Sequence, residues 1–140
     1  MIHPFRINVP DKTLEQIHTQ VADYPWHEMP DDGGWAYGTH LGYMKDLCAY
    51  WLNEFDWRKQ EAAINRFSHF IAPVQGIDLH FIQETVDGPS PLPLIISHGW
   101  PGSIVEFLDI IQPLSHPQQF GGSEDDAFDV IVPSLPGFGF

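Results

Sequence analysis

The sequence lacks most of the features that would mark it for secretion, membrane insertion or nucleic-acid binding. Cys48 is its only cysteine, which excludes an internal disulfide and favours a reducing compartment. All six Lys and Arg residues lie in the first 66 positions and the formal net charge is −13, so a phosphate backbone or an anionic membrane surface would be repelled. No apolar run has the length of a membrane span, and the first residues do not read as a signal peptide. We expect a cytoplasmic protein without a nucleic-acid or membrane partner.

Signals for a metal or a nucleotide cofactor are also missing. None of the eight histidines has the paired spacing of a zinc site. Gly137 and Gly139 do not complete a dinucleotide-binding fingerprint, and no Gly-x-Ser-x-Gly motif occurs. We therefore expect no metal and no other cofactor.

The composition that is present, 43% hydrophobic and 14% aromatic, is typical of a packed globular protein. Residues 1–67 predict a helical N-terminal extension. Asp11 is placed to cap a first helix, a second helix with a wide apolar face follows Thr39, and Asp56 is placed to cap a third. Cys48 falls in the apolar pattern of the second helix, so we expect it to be a buried structural thiol.

In the second part of the chain, residues 68–140, the apolar residues begin to recur at every second position, which is the spacing of a β-strand. Alternating apolar residues on either side of Gln75-Gly76 predict a β-hairpin. The run 92–97 is almost wholly apolar, which is typical of a strand buried on both faces. Ser103 and Glu106 have capping-box spacing for a helix, and a further strand is predicted over 128–132. A hairpin followed by strand, helix and strand predicts the opening of a mixed α/β sheet with a parallel crossover.

The turn after this apolar run, residues 98–103, is the strongest candidate site. A strand-turn-helix junction directs backbone N–H groups at one point, and the Trp100 N–H could form half of an oxyanion hole. The structural alternative is that Gly99 and Gly102 only permit a tight turn. A location at the carboxyl end of a parallel strand favours a ligand site. His98 is the obvious candidate base, but a histidine at a strand end is more often hydrogen-bonded structure.

Taken together, four segments resemble an epoxide hydrolase with the microsomal-type N-terminal extension on an α/β-hydrolase fold. They are Phe5-Arg6-Ile7-Asn8-Val9-Pro10, the helical lead with Tyr50-Trp51 and Phe55-Asp56-Trp57-Arg58, the turn His98-Gly99-Trp100-Pro101-Gly102-Ser103, and the closing Pro133-Ser134-Leu135-Pro136-Gly137-Phe138-Gly139-Phe140.

The resemblance implies that an epoxide is hydrolysed to a vicinal diol through an aspartyl ester. It assigns to Trp100 one backbone oxyanion donor, an indole that lines the substrate cavity, and a cis bond to Pro101. His98, Gly99, Pro101 and Gly102 would support this loop, and the partner would be a small apolar epoxide.

The chain departs from the family where the chemistry is concentrated. None of Asp109, Asp125, Asp126 or Asp129 stands in a nucleophile elbow, and the resemblance places the nucleophile, acid, base and cap tyrosines beyond Phe140. We therefore expect an α/β-hydrolase core truncated before the elbow and inactive alone, with the strand 92–97 unpaired at a sheet edge. Two alternatives stay open: a non-catalytic module that self-associates or binds a complementing chain through this edge, and part of an esterase or dehalogenase.

Overall fold

The computed structural model describes residues 1–28, 34–86 and 91–140. Its contacts divide the chain into two units, one formed by Asn8–Gln60 and the other by Met1–Ile7 together with Glu61–Phe140. This division differs from the predicted boundary between residues 67 and 68. The first residues belong with the sheet because Asn65 holds the backbone of Ile7 in both directions, accepting from its N–H at 3.0 Å and donating to its carbonyl at 2.8 Å.

The helical unit contains α1 (Asp11–Ala22), α2 (Leu41–Asn53) and the start of α3 (Trp57–Ile64). The prediction that Asp11 caps α1 is wrong. Pro10 occupies the cap position and its carbonyl accepts the first helical hydrogen bonds, whereas Asp11 is the first helical residue and pairs with Arg58. The cap at Asp56 is confirmed, since its carboxylate accepts the Lys59 N–H at 3.2 Å.

The predicted burial of Cys48 is also wrong, since the residue is only half-buried. It lines an apolar cavity of about 630 Å³ in the helical unit, together with residues of α1 and α2 such as Val21, Met44 and Trp51. No helix within the described ranges is long and apolar enough to cross a membrane.

The second unit is built on a sheet in which the described strands have the order β1-β2-β3-β5-β4. These strands are β1 (His3–Phe5), β2 (His69–Val74), β3 (Ile77–Glu84), β4 (Leu92–Ile95) and β5 (Phe128–Pro133). The predicted hairpin is confirmed: β2 and β3 are antiparallel, and Gln75 and Gly76 both have positive φ, as a two-residue hairpin turn requires. The predicted parallel crossover is confirmed by the pairing of β4 with β5.

A 3₁₀ turn (Ile104–Phe107) and helix α4 (Leu108–Ser115) form this crossover. The core between α4 and the sheet includes the fully buried Ile111, Val130 and Val132. β4 lies at one edge, and among the described strands only β5 pairs with it. The prediction of burial on both faces is therefore wrong, because Leu92 and Ile95 point to opposite faces and are 67% and 66% exposed. The predicted edge position is confirmed.

Candidate active site

The candidate site is the turn that follows β4. The Ile96 N–H donates to the Ile131 carbonyl at 2.9 Å, which carries the parallel pairing one residue beyond β4. The chain then turns through Gly99, Trp100 and Pro101, and the Trp100–Pro101 bond is cis, as the resemblance implies. Trp100 is 84% exposed, whereas His98 at the start of the turn is 3% exposed.

His98 is a structural residue rather than a base, because both of its ring nitrogens are engaged. Nδ1 lies 2.9 Å from the Gly99 carbonyl, which can only accept, so Nδ1 carries the proton. Nε2 lies 3.1 Å from the Leu135 backbone nitrogen and accepts its N–H. These partners match a neutral imidazole, and neither nitrogen is left to take a proton from water or substrate.

The Gly99–Trp100 peptide presents the candidate oxyanion donor. This bond is trans, so the Gly99 carbonyl and the Trp100 N–H point in opposite directions across one plane. Since His98 holds the carbonyl, the N–H is directed away from His98. Among the described residues no acceptor is recorded for this N–H, which leaves it able to donate to an incoming oxyanion.

The capping box fixes the far side of the turn. The Ser103 N–H donates to Glu106 Oε1 at 2.9 Å, and Ser103 Oγ accepts the Val105 N–H at 3.3 Å. A Cβ on Gly102 would clash with that same Glu106 oxygen. A larger residue at position 102 would therefore displace the Glu106 carboxylate from the cap. The predicted role of Ser103 as a helix cap is confirmed.

The closing segment, residues 133–140, packs against this turn. The Phe138 ring meets the His98 ring edge to face at 5.2 Å between centroids. Gly137 and Gly139 have φ of 89° and 67°, a backbone conformation that favours glycine. The two motifs singled out in the sequence, His98–Ser103 and Pro133–Phe140, are thus brought together through His98.

The four aspartates considered as nucleophiles have other positions. Asp109 lies in the first turn of α4, and Asp125 and Asp126 lie in an exposed 3₁₀ turn. Asp129 accepts the Val86 N–H at 3.1 Å. No group of three metal-ligating side chains occurs in the described part of the chain.

A buried polar chain behind the turn was not anticipated from the sequence. Ser134 Oγ lies 2.8 Å from His80 Nδ1, His80 Nε2 lies 2.9 Å from His69 Nδ1, and His69 Nε2 lies 2.9 Å from the Ile64 carbonyl. Burial, together with a smaller effect of the neighbouring His69, lowers the pKa of His80 to about 4. Burial also lowers the pKa of His69, against the opposing effects of the Ile64 carbonyl and Glu84.

Comparison with known sequences identifies the family. A sequence model described as the epoxide hydrolase N terminus matches residues 2–107. The chain belongs to the epoxide hydrolase family. It is similar to epoxide hydrolase 1 of Sus scrofa, with 36% identity over 99% of this chain and 32% of the relative.

Solved structures of epoxide hydrolases have the same fold over the full chain. The Aspergillus niger enzyme superposes with a TM-score of 0.87 at 31% identity, covering 100% of this chain and 36% of that one. The Bombyx mori juvenile hormone epoxide hydrolase superposes with a TM-score of 0.86 at 29% identity, covering 100% and 37%. The chain therefore spans about a third of the length of the epoxide hydrolases it matches.

Proposed function

We propose that this chain supplies the oxyanion donor and the opening of the sheet in an epoxide hydrolase that converts a small apolar epoxide to a vicinal diol. The observation that supports this proposal is the Trp100 N–H, directed away from the buried His98 by the bond between His98 and the Gly99 carbonyl. Family membership supplies the reaction class.

The reaction has two steps, of which this turn serves the second. An aspartate carboxylate attacks an epoxide carbon, the C–O bond breaks, and the released oxygen takes a proton from a cap tyrosine, leaving an ester. Water activated by a histidine–acid pair then attacks the ester carbonyl. The Trp100 N–H donates to the oxyanion of the tetrahedral intermediate. The intermediate collapses as the histidine returns its proton to the departing oxygen, which releases the diol. The proton of the aspartic acid so formed returns to the cap tyrosinate, which regenerates both groups.

None of the four aspartates considered as nucleophiles has the arrangement that this mechanism requires. Asp109, Asp125, Asp126 and Asp129 lie on α4, in an exposed turn or in a backbone contact rather than on an elbow. We therefore propose that the chain alone opens no epoxide, and that the Trp100 indole, 84% exposed here, lines the substrate cavity when the remaining two thirds of a family member are present.

A chimera tests both statements. Residues 1–140 replace the superposable segment of the Aspergillus niger enzyme, and diol formation from styrene oxide is followed by chromatography. We expect diol from the chimera and none above background from the 140-residue chain. A folded chimera without activity would contradict the proposed function. Diol from the chain alone, abolished by a substitution within it, would contradict the proposed dependence on the remaining residues.

A second proposal concerns association. β4 exposes Leu92 and Ile95 on opposite faces of a sheet edge, which is a template for pairing with another strand. We propose that the edge formed by residues 92–97 pairs with a second copy or with a complementing chain. Sedimentation should show a dimer or larger assembly, and a clean monomer would contradict this proposal.

The single cysteine supports a cytoplasmic location, which cell fractionation would test.

A further inference from the structure

The buried histidine pair of β2 and β3 is connected to the oxyanion turn by a path of hydrogen bonds and one covalent link, the peptide bond between Ser134 and Leu135. The path passes through Ser134, which makes two hydrogen bonds to His80. Its N–H donates to the His80 carbonyl at 2.9 Å and its Oγ lies 2.8 Å from His80 Nδ1. The next residue, Leu135, donates its N–H to His98 Nε2.

The Ile64 carbonyl at the far end of the path determines the proton positions on His69, His80 and the Ser134 hydroxyl. The Ile64 carbonyl can only accept, so His69 carries its proton on Nε2 and uses Nδ1 as an acceptor. His80 must then donate from Nε2 to His69, which leaves His80 Nδ1 to accept the Ser134 hydroxyl proton. No ring in this series can flip or change tautomer without losing a buried hydrogen bond.

The other end of the path reaches the Gly99–Trp100 peptide, which carries the proposed oxyanion donor. His98 donates from Nδ1 to the Gly99 carbonyl at 2.9 Å. Because the Gly99–Trp100 peptide is planar, fixing the carbonyl also fixes the direction of the Trp100 N–H. A displacement of Ser134 would therefore move Leu135, release His98 and free the Gly99–Trp100 peptide to rotate.

We propose that His69, His80 and Ser134 are positioning residues for the Trp100 amide, acting through Leu135 and His98. This proposal rests on the proposed function, because that function is what requires the Trp100 amide to be held in one direction. Substrate does not touch these residues in this scheme. Their contribution is to hold the donor in place before the oxyanion forms.

Substitution of two buried serines, one in the path and one outside it, distinguishes this positioning role from a general effect on stability. Ser134→Ala breaks the path, whereas Ser115→Ala removes a second buried hydroxyl that also contacts a histidine Nδ1 at 2.8 Å, that of His116, and lies outside the path. Backbone ¹⁵N relaxation of the 140-residue chain gives the order parameter of the Trp100 amide. We expect about 0.85 in the unmodified chain and in Ser115→Ala, and below about 0.6 in Ser134→Ala.

The ring nitrogens provide a second readout that needs no variant. Long-range ¹H–¹⁵N spectra of the unmodified chain should show protons on Nε2 of His69, Nε2 of His80 and Nδ1 of His98. Another set of tautomers, or equal order parameters in the two serine variants, would overturn the proposal. Neither readout depends on catalysis. An inactive chimera with the path intact would refute the proposed function alone, and a rigid Trp100 amide in Ser134→Ala would refute this inference alone.

Discussion

The buried histidine pair makes the stability of the chain depend on pH between neutrality and about pH 4. His80 is 1% exposed, and burial lowers its pKa from 6.5 to about 4. The unfolded chain therefore binds a proton at this site over a range in which the folded chain does not. The free energy of unfolding is therefore not reduced by this site above about pH 6.5. It declines as the pH falls below that value, and the decline levels off near pH 4, where the folded state also becomes protonated.

The size of this effect follows from the two pKa values of His80. They differ by about 2.5, which corresponds to about 3 kcal/mol at about 1.4 kcal/mol per pKa unit. His69 acts in the same direction, since its pKa is also lowered, although the nearby Glu84 opposes the shift. Carboxylates titrate towards the acid end of the range as well, so only a difference between variants isolates the histidine contribution.

Urea unfolding at several pH values, in the unmodified chain and in His80→Gln, measures that difference. We expect the unmodified chain to lose about 3 kcal/mol more than the variant between about pH 7 and pH 4. The control is His3→Gln, which removes an exposed histidine and should keep the pH dependence of the unmodified chain. Parallel stability curves for the unmodified chain and His80→Gln would refute the reasoning.

Three further substitutions test local features. Gly102→Ala places a Cβ against Glu106 Oε1, so we expect the capping box to open at a cost of about 1 kcal/mol in urea unfolding, and unchanged stability would contradict the cap. Asn65→Ala removes both bonds to the Ile7 backbone and should lower stability by about 1–3 kcal/mol; a cost near zero would argue against this contact. Ile95→Lys should reduce any self-association through β4 in sedimentation, and an unaffected assembly would place the interface elsewhere.

Local sequence signals predicted the features whose causes are local. Gln75-Gly76 has the residues that a two-residue hairpin turn requires, and both adopt positive φ. Ser103 and Glu106 form their capping box within a single turn of chain. The misassigned cap at Asp11 shows the limit of such signals, because Pro10 provides the cap carbonyl without a capping side chain.

Features set by distant parts of the chain could not be predicted in this way. The apolar run at 92–95 has the composition of a central strand, yet its exposure depends on its place at the edge of the sheet. His80 stands at a polar position in the alternation of β3, between Leu79 and Phe81, and only the fold shows that it is buried against Ser134, which lies 54 positions further along the sequence. The role of His98 likewise depends on Leu135, 37 positions away.

The most direct test of the proposed function removes the Trp100 N–H. In the Aspergillus niger chimera, Trp100→Pro deletes the donor because proline has no N–H, whereas Trp100→Phe retains it. In the proposed mechanism ester formation does not use this donor, whereas ester hydrolysis does. We predict that Trp100→Pro lowers kcat by about 100- to 1000-fold relative to Trp100→Phe and accumulates the alkyl-enzyme ester, visible by mass spectrometry. Equal turnover in the two variants, with no accumulated ester, would contradict the assignment of Trp100 as the oxyanion donor.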